Sequence, residues 1–243
     1  MRRKYSRRIF CTVLASLLAV SWVQVGVAQQ ADHDAVRPVP RSGGWLKRHE
    51  RFNTRVKQGN VDLVFIGDSI TQAWEGNGKQ AWSKYYGKRK AVNLGIGGDR
   101  TQHVIWRLDN GNLAGITPKL AVIMIGTNNS GSNTSAQIAE GVEVIVSQLK
   151  KKTPQTKVLI LAIFPRGKDA NDKRRQVNEG ANQQIAKLAD GKQVHYLDIG
   201  PKFLAADKTL SKEIMPDLLH LSVKGYQIWA SSIEPMVAKL MGD

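Results

Sequence analysis

Cysteine is almost absent from this chain of 243 residues: Cys11 is the only one, so no internal disulfide and no cysteine-built metal site can form. Histidine is scarce as well. The five are scattered along the chain, with no clustering of His and carboxylates at ligand spacing, so neither a metal nor any other cofactor is expected. Acids are outnumbered, 20 Asp plus Glu against 36 Lys plus Arg, for a net charge of +16. A basic surface suits anionic neighbours, but the positive residues are spread out and form no basic-aromatic ladder. That scatter is the pattern of a solvated surface and argues against a nucleic-acid partner. No internal repeat is visible and no second domain is expected.

What is present begins with a leader. Met1–Arg8 carries Arg2, Arg3, Lys4, Arg7 and Arg8 and no acid, and Ile9–Val23 is mostly apolar. Gly26-Val27-Ala28 places small residues at a cleavage position, so residues 1–28 read as a secretory signal peptide. Ser6-Arg7-Arg8-Ile9-Phe10 is similar to a twin-arginine export signal. The expected location is periplasmic or secreted, with no stable membrane insertion after cleavage. The alternative is an uncleaved anchor. Cleavage removes five positive charges and takes +16 to +11. Residues 29–43, polar and holding Pro38 and Pro40, read as a linker to a domain over 44–243.

From Gly44 onward, short apolar runs alternate with amphipathic stretches. Strands are expected over Asp62–Ile66, Ala91–Leu94, Leu120–Ile125, Val158–Phe164 and Val194–Leu197. Helices are expected over Gly44–Gln58, Thr101–Leu108, Ser135–Lys150, Val177–Leu188 and Ser222–Leu240, and Asp169–Gln176 reads as a charged loop. This alternation specifies an α/β fold: one doubly wound domain of about five parallel strands with helices on both faces.

The chain is organised around Val61–Thr71, VDLVFIGDSIT. The apolar run ends at Gly67, and Asp68-Ser69 follow at the strand's carboxyl end, where open α/β sheets bind ligands. Taken alone, the pair reads equally as a helix N-cap or as a nucleophile ahead of a helix. Two more polar turns follow the next two strands. Gly98 can offer an unobstructed backbone N–H, and Asn128 can add a side-chain amide N–H to the same oxygen. A hydroxyl nucleophile also needs a base. His33 lies in the linker and His49 on a packed helix face. His103 has no acid at useful spacing, and His195 reads as a satisfied sheet residue. His220 stands three residues after Asp217 in a polar loop, a spacing at which the carboxylate can fix the imidazole tautomer. Gly95-Ile96-Gly97-Gly98 is not a dinucleotide fingerprint, because Arg100 occupies the sixth position.

Four blocks in order, Gly67-Asp68-Ser69-Ile70, Asn93–Asp99, Gly126–Asn129 and Asp217–His220, resemble the SGNH (GDSL-type) hydrolases over about Trp45–Leu240. Gly97–Leu108 and Phe164-Pro165-Arg166-Gly167 are similar to the catalytic subunits of intracellular platelet-activating-factor acetylhydrolase within that family. The resemblance implies Ser69 as nucleophile, His220 as base and Asp217 as its orienting acid. It also implies an oxyanion hole from the Ser69 and Gly98 N–H groups and the Asn128 amide, and ester hydrolysis without a metal. Ile70 stands where the eponymous motif has leucine, and the export leader is foreign to an intracellular enzyme. The expected function is an exported serine esterase acting on short acyl esters, acetyl first, of lipids or carbohydrates. The alternatives are a lysophospholipase or thioesterase with a longer acyl preference, and a non-catalytic envelope-binding protein of the same fold. Resemblance alone leaves a homodimer open.

Overall fold

Five apolar runs become five strands: β1 (Leu63–Gly67), β2 (Ala91–Gly95), β3 (Leu120–Met124), β4 (Lys157–Leu161) and β5 (Val194–Leu197). They form one sheet in the order β2-β1-β3-β4-β5, every pair parallel. The computed structural model describes residue 1 and residues 33–243; the expected leader lies outside the described residues.

Side chains alternate along each strand and so feed two cores. Val64, Ile66, Val92, Leu94, Ala121, Ile123, Val158 and Ile160 face α1 (Gly44–Lys57), α4 (Thr101–Asp109), α5 (Ser135–Lys152) and α6 (Lys173–Ile185). Leu63, Phe65, Leu120, Val122, Met124, Leu159 and Leu161 face α3 (Lys79–Tyr86) and α7 (Val223–Met241). The first core is mainly aliphatic. The second is aromatic, with Trp74 packed 4.7 Å from both Tyr226 and Trp229. Each fully buried Val, Leu, Ile or Phe side chain contributes roughly 1.5–3 kcal/mol. The two cores therefore hold the sheet from both sides and fix its carboxyl rim.

Besides β4, which ends at Leu161 where Phe164 is expected, two stretches differ from the sequence reading. The stretch taken as the charged loop Asp169–Gln176 contains the start of α6, because the Asp172 side chain accepts the Arg175 N–H and caps the helix at Lys173. Residues 33–42, taken from their prolines as linker, lie against the domain. Ala35 and Val36 are buried, Thr101 Oγ1 donates to the Ala35 carbonyl at 2.7 Å, and Asn133 Nδ2 donates to Asp34. These ties are long-range, so local composition does not register them.

Candidate active site

The first crossover leaves β1 toward β2 and the next returns on the other side of β1 to form β3. Chain reversal of this kind opens a crevice at the carboxyl ends of β1 and β3. Gly67 closes β1 in a space where a Cβ would stand 2.1 Å from Thr71 Oγ1 and 2.4 Å from the Met124 carbonyl. Asp68 then caps the short helix α2 (Ser69–Gln72), its Oδ1 accepting the Ile70 N–H at 2.9 Å. The two sequence readings of this pair thus fall on different residues. Asp68 is the cap, and the Ser69 side chain is left to point elsewhere. Asp68 is fully buried, and among the described residues its Oδ2 has no hydrogen-bond partner. Desolvation above all, helped by the nearby Asp99 charge, pushes its carboxyl up to about 7 against the pull of the Ile70 N–H.

Ser69 Oγ lies 2.8 Å from His220 Nε2. His220 comes from the loop before α7, and that loop is shaped by Asp217. Its Oδ1 accepts the N–H groups of Leu219 and His220 at 3.1 and 2.7 Å, with Leu218 in the left-handed region at φ 59°. The fold-back brings Asp217 Oδ2 to 2.6 Å from His220 Nδ1. A carboxylate there accepts from Nδ1–H, so Nε2 presents its lone pair to the serine hydroxyl. Desolvation raises the Asp217 carboxyl, but the His220 ring and the two backbone donors outweigh it and hold the group below its usual range.

The turn after β2 runs beside the hydroxyl: a Cβ on Gly97 would stand 3.9 Å from Ser69 Cβ. Gly98 has φ 74°, a conformation that favours glycine. Gln72 Oε1 accepts the Gly97 N–H at 2.7 Å, and Arg41 Nη1 donates to the Gly97 carbonyl at 2.8 Å, so the turn is fastened on both sides. After β3, two adjacent asparagines take different tasks. Asn129 is fully buried and spends its side chain on Thr101, Gln102 and Asn133. Asn128 is partly exposed; its Nδ2 donates to the Asp99 carbonyl at 2.9 Å, which orients the amide and leaves a second N–H. Ser69, Gly98, Asn128, Asp217 and His220, named from sequence, therefore meet at one rim, over 151 residues of chain between Ser69 and His220.

Beneath the turn lies a device the sequence reading missed. Asp99 is fully buried and bonded by Arg107 Nε at 2.9 Å and Trp45 Nε1 at 2.6 Å. Arg107, also fully buried, donates onward to Asn112 Oδ1. Burial pushes the Asp99 carboxyl up, while Arg107, Trp45 and Arg41 pull it back toward the ionised form. An arginine within an amphipathic helix reads as solvent-facing; only the buried Asp99 eight residues earlier could have signalled otherwise. The other histidines also sort themselves. His49 packs flat on Trp45 at 5.8 Å and bonds Asn53 and Asn112, as its helix face suggested. His103 does have an acid beside it, Asp99 Oδ1 at 3.8 Å from Nδ1, and its ring accepts the Arg100 N–H as part of a helix cap. His195, expected to be satisfied within the sheet, has a buried Nε2 with no partner among the described residues. A recess of about 370 Å³ beside β2, lined by Trp74, Trp82 and Asn93 among others, contains none of the five rim residues.

A hydroxyl, imidazole and carboxylate in line at the switch point of a five-stranded parallel sheet place the protein in the SGNH/flavodoxin-like α/β class. The comparisons narrow the class. The family model for GDSL-like lipases and acylhydrolases matches residues 65–228. The chain is 39% identical over 211 residues to platelet-activating factor acetylhydrolase IB subunit alpha1 of Homo sapiens, across 86% of this chain and 89% of that one. It is 36% identical over 202 residues to the alpha2 subunit of Rattus norvegicus, across 82% and 86%. The crystal structure of an acetyl xylan esterase superposes with a TM-score of 0.61 at 22% identity, across 72% and 98% of the two chains, a likeness of fold. The chain belongs to the GDSL-like lipase/acylhydrolase family and is an ester-hydrolysing enzyme.

Proposed function

We propose that this enzyme is an exported serine esterase that removes short acyl groups, acetyl first, from lipid or carbohydrate esters through an acyl-enzyme. The unbroken line from Ser69 Oγ through His220 to Asp217, at 2.8 and 2.6 Å, carries the reading. In this mechanism Ser69 Oγ attacks the ester carbonyl carbon and its proton passes to His220 Nε2. The carbonyl oxygen becomes an oxyanion facing the Ser69 and Gly98 N–H groups and the free Asn128 N–H. The intermediate collapses with cleavage of the carbon–oxygen bond, and the leaving alkoxide takes the proton from Nε2. Water, deprotonated by His220, then attacks the acyl-enzyme; acetate leaves and Ser69 recovers its proton. The Asp217 carboxylate steadies the imidazolium at both stages.

The acetyl preference is supported by the acetylhydrolase relatives, and export by the basic, apolar and small-residue succession of the first 28 residues. Rates on p-nitrophenyl esters from acetate to palmitate, with fluorophosphonate labelling, test the proposal. Acetate is expected to be the best substrate, with label on wild type and none on Ser69→Ala. Hydrolysis retained by Ser69→Ala would remove the nucleophile assignment, and a long-chain optimum would favour a lysophospholipase or thioesterase. The mass of the protein recovered from the producing cell's exterior distinguishes a cleaved leader from a retained one.

A further inference from the structure

Four arginines surround the rim, and the acyl chemistry above uses none of them directly. Arg41 lies over the Gly98 turn, with its guanidinium atoms 3.1–3.6 Å from where a Cβ on Gly98 would stand. Arg100 Nη1 donates to Ser132 Oγ at 3.1 Å. The Arg174 guanidinium lies 3.5–3.6 Å from the Cβ position of Gly131. The turn that directly follows Asn128 is thus flanked by Arg100 and Arg174. Arg166 donates to Thr127 O and Oγ1, both at 3.2 Å, at the residue before Asn128.

These charges are poorly compensated. Arg48, Arg89, Arg107 and Arg175 each hold a carboxylate at 2.6–3.0 Å. Among the described residues, Arg100, Arg166 and Arg174 have no carboxylate within 4.0 Å. The nearest to Arg41 is Asp99 Oδ1 at 3.8 Å, already bonded by Trp45. Asp172, Asp68 and Asp217 act on Arg166 at longer range, but burial and the neighbouring Arg174 charge prevail and push its guanidinium down. Like charges brought together in a partly desolvated place are costly until an anion joins them. Guanidinium groups suit oxyanions because their planar fork donates two parallel hydrogen bonds.

We propose that this arginine rim binds an oxyanionic group, phosphate or carboxylate, on the alcohol part of the substrate, so that the preferred substrates are acetyl esters of anionic alcohols. The inference rests on the esterase reading of the site and supplies what that reading leaves open, the character of the alcohol. During turnover the anion leaves with the alcohol.

The test uses purified full-domain enzyme and three aryl acetates: phenyl acetate, 4-acetoxybenzoate and 3-(trimethylammonio)phenyl acetate. Each kcat/KM is divided by the rate constant for hydroxide-catalysed hydrolysis, which removes differences in leaving-group reactivity. The anionic ester is expected to exceed the cationic one by about ten-fold or more at low salt, the size of one charge-assisted hydrogen bond. The excess is expected to shrink as salt rises. In the Arg100→Gln/Arg174→Gln double variant, the ratio is expected to fall toward one, and Arg174→Lys is expected to keep part of it. Acetylated glycerol 3-phosphate and acetylated glucuronate then tell phosphate from carboxylate, since the better substrate names the anion. Wild type with no charge preference, or a preference undiminished in the double variant, would overturn the inference. Phenyl acetate hydrolysis that does not depend on Ser69 would instead overturn the esterase reading, so the two failures are distinguishable.

Discussion

Two acid–base pairs share the rim of the sheet and live in opposite surroundings. The side chains of Asp99 and Arg107 are wholly excluded from solvent, whereas those of Asp217 and His220 are 57% and 41% exposed. The buried pair is tied on all sides, to Trp45, Asn112 and the Gly67 carbonyl. It cannot exchange protons readily, and its work is to hold the floor under Gly97, Gly98 and Asn128. The exposed pair is closed within one tight loop and reaches across to a single serine. In the proposed mechanism a proton comes and goes there during each turnover. Stability and chemistry are thus divided between neighbouring pairs, and substitutions should separate them.

The largest effect is expected at the exposed pair. His220→Ala should lower kcat by about 10⁴-fold or more, because nothing else on the rim can take the Ser69 proton. Its folding stability should change by less than ~1 kcal/mol, since the ring is half-exposed and removed together with its partner bonds. Steady-state kinetics beside urea melts check both halves. Arg107→Met should do the reverse. It leaves Asp99 buried without its cation, at a cost of about 3–5 kcal/mol in stability. A stable Arg107→Met protein with lost activity would mean that the buried pair serves the chemistry and not the floor.

This division also explains what could be read from the chain. Ser69, Gly98, Asn128 and the Asp217–His220 pair were legible because each is a local signal: a small or polar residue at a strand end, or an acid one helical turn before a histidine. The five strands were legible because they are unbroken apolar runs such as Leu120–Met124. Arg107 was not, because nothing in its neighbourhood on α4 marks it as buried; its burial depends on Asp99 and Trp45 arriving from elsewhere. The docking of residues 33–42 was hidden by Pro38 and Pro40, and the start of α6 by the run Lys173-Arg174-Arg175, which reads as solvated loop until Asp172 is seen to cap it. Polar ties, the local Asp172 cap among them, account for these differences; apolar periodicity does not register them.

Asn128 stands between the two pairs, one N–H held by the Asp99 carbonyl and the other assigned to the oxyanion in the proposed mechanism. Asn128→Ala should therefore show both signatures in reduced form. A 10²–10³-fold fall in kcat is expected for a lost oxyanion donor, with about 1 kcal/mol of stability lost with the bond to the Asp99 carbonyl. A change in KM alone would place Asn128 in substrate binding and outside transition-state stabilisation.

Asp68 sharpens the comparison from the other side, being buried like Asp99 but, among the described residues, without a cation within 4.0 Å. Its carboxyl titrates near 7 in the folded protein against about 3.8 when unfolded. Between those values the folded state keeps a proton that the unfolded state has released. Stability therefore falls as pH rises from about 4 to about 7 and levels off above. Asp68→Asn keeps an Oδ1 acceptor for the Ile70 N–H and cannot ionise, so it should lose that decline. At about pH 8 the variant should be the more stable protein, by on the order of one to a few kcal/mol at about 1.36 kcal/mol per pKa unit. Below about pH 3.5 the difference should vanish. Urea melts across this range read the effect directly: curves that stay parallel from about pH 5 to 8 would mean that Asp68 is ionised throughout and compensated like Asp99, and the contrast between the two buried carboxylates would disappear.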